Sequence, residues 1–151
     1  MKFTLATVAA LFGASALAAP APQASDAPLP SEKLTITDFY VRKQPNGTLT
    51  NVNFSLSGDD ADAIVCNANN PGFPSKIFDC GETKYRFAVI QGSKTEYALR
   101  IYHELGTAVG FWGDGDVATY CHAGGLGDAL CSPVEPETII TIDSVGHRDI
   151  L

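Results

Sequence analysis

The sequence predicts a single all-β domain, an antiparallel β-barrel or sandwich of about nine or more strands. Short segments rich in β-branched and aromatic residues recur along the chain and are separated by Gly, Pro, Asn and Asp. No segment keeps a 3.6-residue period, so we expect at most one short helix. Of the 151 residues, 45% are hydrophobic and 18% are charged, which is typical of one globular domain rather than of a disordered chain.

The N-terminal residues are not expected to belong to this domain. Lys2 precedes an apolar run that ends at Leu17, and Ala16-Leu17-Ala18 fits a signal-peptidase cleavage pattern. We therefore predict a signal peptide over residues 1–18, because the run is too short for a membrane anchor and a Pro-rich segment follows it. Residues 19–31 are predicted to be an extended Pro/Ala-rich leader, and residues 32–151 the folded domain.

The first hairpin is predicted from two strand-like segments on either side of Pro45-Asn46-Gly47. Leu34 and Ile36 share one face of the first strand, and the apolar face changes at Phe39, which indicates a bulge near Asp38. Asn-Gly is the residue pair that most readily accepts two positive φ angles in a turn. In the second strand the apolar residues alternate with polar ones and are expected to face inward: Val52, Phe54 and Leu56.

Further strands follow from the same alternation. A short strand over residues 63–66 is followed by a loop rich in Pro and Asn, and the chain then returns to the core over residues 76–81. The clearest hairpin has its strands around residues 85–89 and 97–101, with a turn at Gln91-Gly92-Ser93. We also predict a pair of strands around a turn at Gly113-Asp114-Gly115, and a last strand over residues 138–142.

The four cysteines are predicted to form two intrachain disulfides. An even number of cysteines in a small secreted chain is typical of a disulfide framework, and four cysteines allow three connectivities. Sequential pairing, Cys66 with Cys80 and Cys121 with Cys131, requires the shortest loop closures. A zinc site is disfavoured, because neither pair has CxxC spacing.

The charge of the chain limits its partners. The formal net charge is -7, which repels nucleic-acid phosphates and anionic lipid, so we expect neither nucleic acid nor a membrane as a partner. Two groups of aspartates could in principle bind calcium, but neither fits the EF-hand pattern, and turn formation explains both: Asp59, Asp60 and Asp62, and Asp114 and Asp116. We expect no metal and no cofactor.

Two sequons make Asn46 and Asn53 candidate glycosylation sites in a secreted chain. Asn46 is the better acceptor because it lies in a predicted exposed turn, although the turn alone also explains an Asn-Gly pair. Gly124-Gly125-Leu126-Gly127 resembles a phosphate-binding loop only superficially, because Cys131 and Pro133 leave no room for the helix that such a loop requires. A tight loop that needs positive φ angles explains these glycines better.

No catalytic motif is present in the sequence. Neither G-x-S-x-G nor H-E-x-x-H occurs, and the three histidines are His103, His122 and His147. A catalytic triad can assemble from distant residues, but any chain with this many Ser and Asp residues allows that. We therefore predict that the protein is not an enzyme.

Three stretches together resemble the family of the major Alternaria allergen, which includes fungal elicitors of the plant hypersensitive response. They are Ile36-Thr37-Asp38-Phe39-Tyr40-Val41-Arg42-Lys43, Asp79-Cys80-Gly81-Glu82 and Tyr120-Cys121-His122-Ala123-Gly124-Gly125-Leu126-Gly127. Their order and spacing also fit, over about residues 33–143. The cysteine-glycine stretch is the most specific of the three.

The resemblance implies a secreted fungal β-barrel with disulfides Cys66–Cys80 and Cys121–Cys131 and no settled catalytic site. It further implies an effector or elicitor that binds host plant proteins, including pathogenesis-related proteins of the thaumatin-like class, with possible allergenicity. The family's allergen has an additional cysteine that links two chains, whereas residues 19–33 contain none. We therefore expect a monomer or a non-covalent dimer.

The alternative functions are a secreted esterase-like hydrolase and a carrier of small aromatic ligands. The missing nucleophile motif disfavours the hydrolase, and a carrier would need an apolar cavity. The loop that the predicted Cys121–Cys131 disulfide would close, residues 121–131, is called the stapled loop. Because loops on a rigid scaffold commonly carry binding contacts, we expect partner contacts on the stapled loop and on the first hairpin, residues 38–51.

Overall fold

The computed structural model describes residues 31–107 and 109–147, with side chains described as far as Ser144. The predicted signal peptide and all of the leader except Ser31 lie outside the described residues. The described residues form no helix and eleven strands, which are β1 (Glu32–Lys43), β2 (Leu49–Gly58), β3 (Ala61–Asn69), β4 (Phe78–Asp79), β5 (Tyr85–Ile90), β6 (Tyr97–Gly106), β7 (Val109–Val117), β8 (Thr119–Ala123), β9 (Ala129–Pro133), β10 (Glu137–Ile142) and β11 (Ser144–His147).

The strands form two antiparallel sheets. The β1 sheet has the order β3-β2-β1-β9-β8, with β10 also paired to β1, and the β6 sheet has the order β11-β7-β6-β5-β4. The two sheets share one core, and the described strands form no barrel closed by hydrogen bonds. The predicted all-β class is confirmed, in the form of a sandwich.

Strand β1 is bent by a bulge, as the sequence predicted. Asp38 has φ 52°, and the pairing with β2 shifts register between Thr37 and Tyr40. Before the bulge β1 pairs with β10, as far as Thr37, and after it β1 pairs with β9, beginning at Val41. The bulge therefore allows one long strand to have two successive neighbours on the same side.

The core lies between the sheets and consists of the apolar residues that alternate along the strands. Phe54 of the β1 sheet contacts Phe87 of the β6 sheet edge-on, with ring centroids 4.9 Å apart, and Phe39 packs behind Phe54 at 6.3 Å. All three rings are buried. Full burial of one such side chain contributes roughly 1.5–3 kcal/mol, so this aromatic contact is a main link between the sheets.

Gly113-Asp114-Gly115 is not a turn, and that prediction was wrong. Strand β7 continues through these residues from Val109 to Val117. A Cβ atom at Gly113 would overlap the carbonyl oxygen of Thr141, and one at Gly115 would overlap the side chain of Ile140. The glycines are therefore required because β10 packs closely against β7. Strands β9 and β11 were not predicted.

The turn between β5 and β6 is held by Asp116, which accepts three hydrogen bonds. Its Oδ1 accepts from the Ser93 N–H at 2.8 Å, and its Oδ2 accepts from the Ser93 hydroxyl at 2.7 Å and from the Lys94 N–H at 2.9 Å. These bonds, above all that of the Ser93 hydroxyl, lower the pKa of Asp116 below its ordinary value of 3.8.

We expect this turn to loosen in acid. Because the pKa of Asp116 is depressed in the folded state, its contribution to stability is complete above pH 3.8 and is lost as the pH falls through the folded-state pKa. Amide exchange at Ser93 and Lys94, measured by NMR, should accelerate in that acidic range. An Asp116→Asn variant should show fast exchange at neutral pH already, and unchanged protection in that variant would contradict the assignment.

Candidate binding surface

The two regions expected to contact partners lie side by side. Strand β1 pairs with β9 through Val41 and Cys131, Arg42 and Leu130, and Lys43 and Ala129. At the loop tips, a Cβ atom at Gly127 would lie 3.0 Å from Cγ of Pro45. Residues 38–51 and 121–131 thus form one continuous surface, which we call the hairpin surface. Their contact was not predictable from either segment alone.

The stapled loop is a tight connection between β8 and β9. The N–H of Gly124 donates to the Asp128 carbonyl, and the N–H of Gly127 donates to the Gly124 carbonyl at 3.1 Å. Gly127 has φ 86°, which is a conformation that favours glycine. The loop opens no helix, so it does not resemble a phosphate-binding loop. Leu126 lies at its tip with 93% of its surface exposed.

The first loop uses its Asn-Gly pair differently from the prediction. Only Gly47 has a positive φ, 85°, so the expected pair of positive φ angles is not present. Instead, the loop between β1 and β2 spans residues 44–48, and Oδ1 of Asn46 accepts a hydrogen bond from the Thr48 N–H at 2.9 Å.

Asn46 is exposed, and its glycosylation stays a prediction. Asn53 is half-buried and accepts from the Asn67 amide at 3.3 Å, and its glycosylation also stays a prediction.

Two depressions include residues of the hairpin surface. The first, of about 330 Å³, lies at the stapled loop and is lined by Arg42, His122, Leu126 and neighbouring residues. The second, of about 660 Å³, lies on the outer face of β1, β8 and β9, and we call it the tyrosine groove. Arg42 and Leu130 line both. The groove is lined by Asp38, Phe39, Tyr40, Arg42, Asn53, Tyr120, Leu130, Ser132, Pro133 and Pro136.

Arg42 differs from the other described arginines in its electrostatic surroundings. Arg86 pairs with Glu104 at 3.1 Å, and Arg100 donates two hydrogen bonds to Asp114, at 2.6 and 2.8 Å. No ion pair or side-chain hydrogen bond engages the Arg42 guanidinium within residues 31–107 and 109–147. In a chain with an excess of carboxylates, this cation remains available to a ligand.

The two disulfides are Cys66–Cys80 and Cys121–Cys131. The first is fully buried and joins β3 of the β1 sheet to the segment after β4 of the β6 sheet. The second joins directly opposed residues of β8 and β9 and lies at the base of the stapled loop. Together they tie the two sheets and fix the hairpin that carries part of the hairpin surface.

His103 lies in the core, where no substrate can reach it. It continues the inward alternation of β6 after Ile101, is 2% exposed, and stacks on the ring of Tyr85 at 4.1 Å. His122 is exposed in β8 and contacts Tyr120 edge-on at 5.0 Å. The side chain of His147 lies outside the described residues. The structure therefore does not bring the described histidines together.

A buried polar network surrounds His103, and it was not predicted from the sequence. Nδ1 of His103 lies 2.6 Å from Oε2 of Glu32, which is only 3% exposed. Oε1 of Glu32 accepts hydrogen bonds from the Tyr85 hydroxyl at 2.6 Å and from the Asp59 N–H at 2.8 Å. Burial, and then this contact with Glu32, raise the pKa of Tyr85 well above its usual range. The network fixes the start of β1 to the core.

Asp60 closes the network at the surface. Its Oδ2 lies 3.3 Å from Nζ of Lys84, and the hydrogen bond from Lys84 lowers the pKa of Asp60. Nε2 of His103 is also 3.3 Å from this carboxylate, but without hydrogen-bond geometry. We regard that contact as electrostatic only. In the described part of the chain, no three His, Cys, Asp or Glu side chains are placed to hold a metal ion.

The comparisons with known proteins agree on one family. The model of the family described as Alternaria alternata allergen 1 matches residues 36–131. The effector protein PevD1 of Verticillium dahliae is 56% identical over 149 residues, which is 96% of each chain. Two crystal structures of Alternaria alternata allergen Alt a 1 share the fold at 21% identity. The first has a TM-score of 0.61, and the match includes 78% of this chain and 96% of the allergen chain. The second has a TM-score of 0.60, and the match includes 82% of this chain and 95% of the allergen chain.

None of the described residues forms a helix long and apolar enough to cross a membrane.

Proposed function

The chain belongs to the Alternaria alternata allergen 1 family, and we propose that it is a secreted fungal effector that acts by binding host plant proteins. The observation that carries this proposal is the 56% identity, over nearly the full length, to a protein named as an effector. The relatives are named as effector and allergen proteins and not as enzymes, in agreement with the prediction of a non-catalytic protein.

Secretion is supported by three independent features. The first 18 residues have the composition of a signal peptide. All four cysteines are paired in disulfides, which are typical of extracellular proteins. The relative that matches over 96% of both chains is named as an effector, and this name implies a protein that is secreted. With no cysteine left over, the protein acts as a monomer or as a non-covalent dimer.

The hairpin surface is the proposed contact site for the host protein. It combines an exposed apolar residue, Leu126, on a hairpin fixed by a disulfide, with Arg42 of the neighbouring β1, a cation that has no ion-pair partner among the described residues. Arginine is one of the residues that commonly carry most of the binding energy at the centre of an interface. A rigid loop also loses little conformational entropy on binding. A pathogenesis-related protein of the thaumatin-like class is the proposed partner.

The other two functions lack such support. Of the two histidines whose side chains the structure describes, only the exposed His122 could serve a hydrolase, because His103 is buried. A carrier needs an apolar cavity, whereas packed aromatic rings, among them Phe54 and Phe87, occupy the space between the sheets.

The proposal is tested by infiltrating purified protein into leaves. A Leu126→Asp variant should lose the defence response, with a shift of at least about tenfold in the dose required, because it replaces an apolar contact with a charge. The matched control is Val65→Asp, which makes a comparable change at a 59% exposed residue of β3, the far edge strand of the same sheet.

Both variants are first compared with the unchanged protein by thermal unfolding, so that loss of folding is not mistaken for loss of binding. The control should retain the full leaf response. Equal responses to the two variants would argue against the hairpin surface, and a hydrolase activity that disappears together with the response in a His122→Ala variant would favour an enzyme.

A further inference from the structure

The tyrosine groove has the shape and the chemistry of a sugar-binding site. We propose that it binds a neutral oligosaccharide. The groove is open, has a volume of about 660 Å³, and crosses the outer face of the β1 sheet beside the bulge at Asp38. It overlaps the hairpin surface at residues 38–42 and at Leu130 but does not include Leu126 or the tip of the stapled loop.

Two tyrosines from different strands supply the aromatic wall of the groove. Tyr40 follows the bulge in β1, and Tyr120 lies in β8 on the other side of β9. Tyr120 is 48% exposed, and its ring is contacted edge-on by His122. A tyrosine combines a flat apolar face with a polar tip, which matches a sugar ring with its apolar C–H face and its rim of hydroxyls.

The groove also contains polar groups without partners in the protein. Within the part of the chain that the structure describes, no hydrogen bond engages the Arg42 guanidinium or the hydroxyls of Tyr40, Tyr120 and Ser132. On the opposite sheet, by contrast, Arg86 and Arg100 are both paired with carboxylates. The groove therefore offers a guanidinium fork and three hydroxyls to a ligand.

Two further side chains are only partly used. Oδ2 of Asp38 accepts from the hydroxyls of Thr37 and Ser55, at 3.4 and 3.3 Å, and no described group donates a hydrogen bond to Oδ1. Asn53 accepts through Oδ1, and no described group accepts a hydrogen bond from its amide N–H groups. Adjacent sugar hydroxyls both donate and accept, so they can satisfy the carboxylate, the amide and the guanidinium together.

Other ligand classes fit less well. Arg42 and Asp38 balance each other in charge, and the chain's net charge of -7 repels a polyanion. A purely apolar ligand would leave the polar groups unpaired, which costs free energy once water is excluded. A peptide cannot add as an extra strand to β1 or β9, because both are paired on each side, and only Tyr120 of the end strand β8 lines the groove.

The test is isothermal titration with cellohexaose, laminarihexaose and chitohexaose, and with polygalacturonate as the charged comparison. At least one neutral hexasaccharide should bind, and the Tyr120→Ala and Arg42→Ala variants should each weaken that binding about tenfold. The matched control is Tyr102→Ala, which changes a half-buried tyrosine of the β6 sheet and should leave the affinity unchanged.

NMR titration locates the site without relying on variants. Amide shifts caused by the sugar should concentrate at residues 38–42, 53, 120 and 130–133. The proposal is overturned by no binding of any neutral hexasaccharide at millimolar concentration, by shifts elsewhere, or by tighter binding of polygalacturonate. Because the assay uses purified sugar and not leaf tissue, its result is independent of the host-protein proposal, which is tested at Leu126.

Discussion

Replacing His103 with alanine is expected to lower the free energy of unfolding by about 3–5 kcal/mol. The change removes a ring that is 2% exposed and stacks on Tyr85, and it removes the group 2.6 Å from the buried Glu32 carboxyl. A buried carboxyl group that loses one partner is costly because water cannot replace that partner. Chemical denaturation followed by circular dichroism measures this change directly.

The matched control is His122→Ala, which makes the same substitution at an exposed position of β8. Its expected effect is within about 0.5 kcal/mol. A similar small effect for both histidines would show that the Glu32 network does not hold the start of β1. The comparison also means that His103 must stay unchanged in any variant that is used to test for histidine catalysis.

Removal of the fully buried disulfide Cys66–Cys80 should destabilise the protein more than removal of Cys121–Cys131, in which Cys121 is exposed and Cys131 is buried. A Cys66→Ala/Cys80→Ala variant loses the covalent link between the two sheets, and closing a loop of this length is worth about 3 kcal/mol. Cys121 and Cys131 are already opposed in a hydrogen-bonded hairpin, so a Cys121→Ala/Cys131→Ala variant should lose less stability. Denaturation midpoints of the two variants give the order.

The disulfide Cys121–Cys131 should instead affect binding. Without Cys121–Cys131 the stapled loop becomes more mobile, so the leaf response should fall although the domain remains folded. If the double variant at 121 and 131 proves the less stable of the two, the assignment of a structural role to Cys66–Cys80 and a local role to Cys121–Cys131 is wrong.

Much of the fold could be predicted because alternation is a local signal. The pattern of Val52, Phe54 and Leu56 specifies one face of β2, and the change of face at Phe39 located the bulge. The relation between distant segments carries no such signal. Gly113 and Gly115 were predicted to form a turn, but they are small because β10 packs on them, and β10 comes some 25 residues later in the chain.

The site was predictable only in its parts. Residues 38–51 and 121–131 could each be identified as an exposed hairpin, but they lie side by side only because β1 pairs with β9. The contact of Glu32 with His103 joins residues 71 positions apart. One local clue was available, since His103 continues an apolar inward row in β6 and a buried histidine needs a partner.

The hairpin surface is the proposed site at which the protein binds a host protein. Photo-crosslinking in leaf apoplastic fluid tests it most directly, with p-benzoylphenylalanine placed at position 126 in one sample and at position 65 in another. We expect position 126 to give one discrete host-protein adduct, which excess unmodified protein abolishes and excess Leu126→Asp protein does not. Position 65 should give none. A full leaf response with no adduct at position 126, or the same adducts from both positions, would contradict the claim.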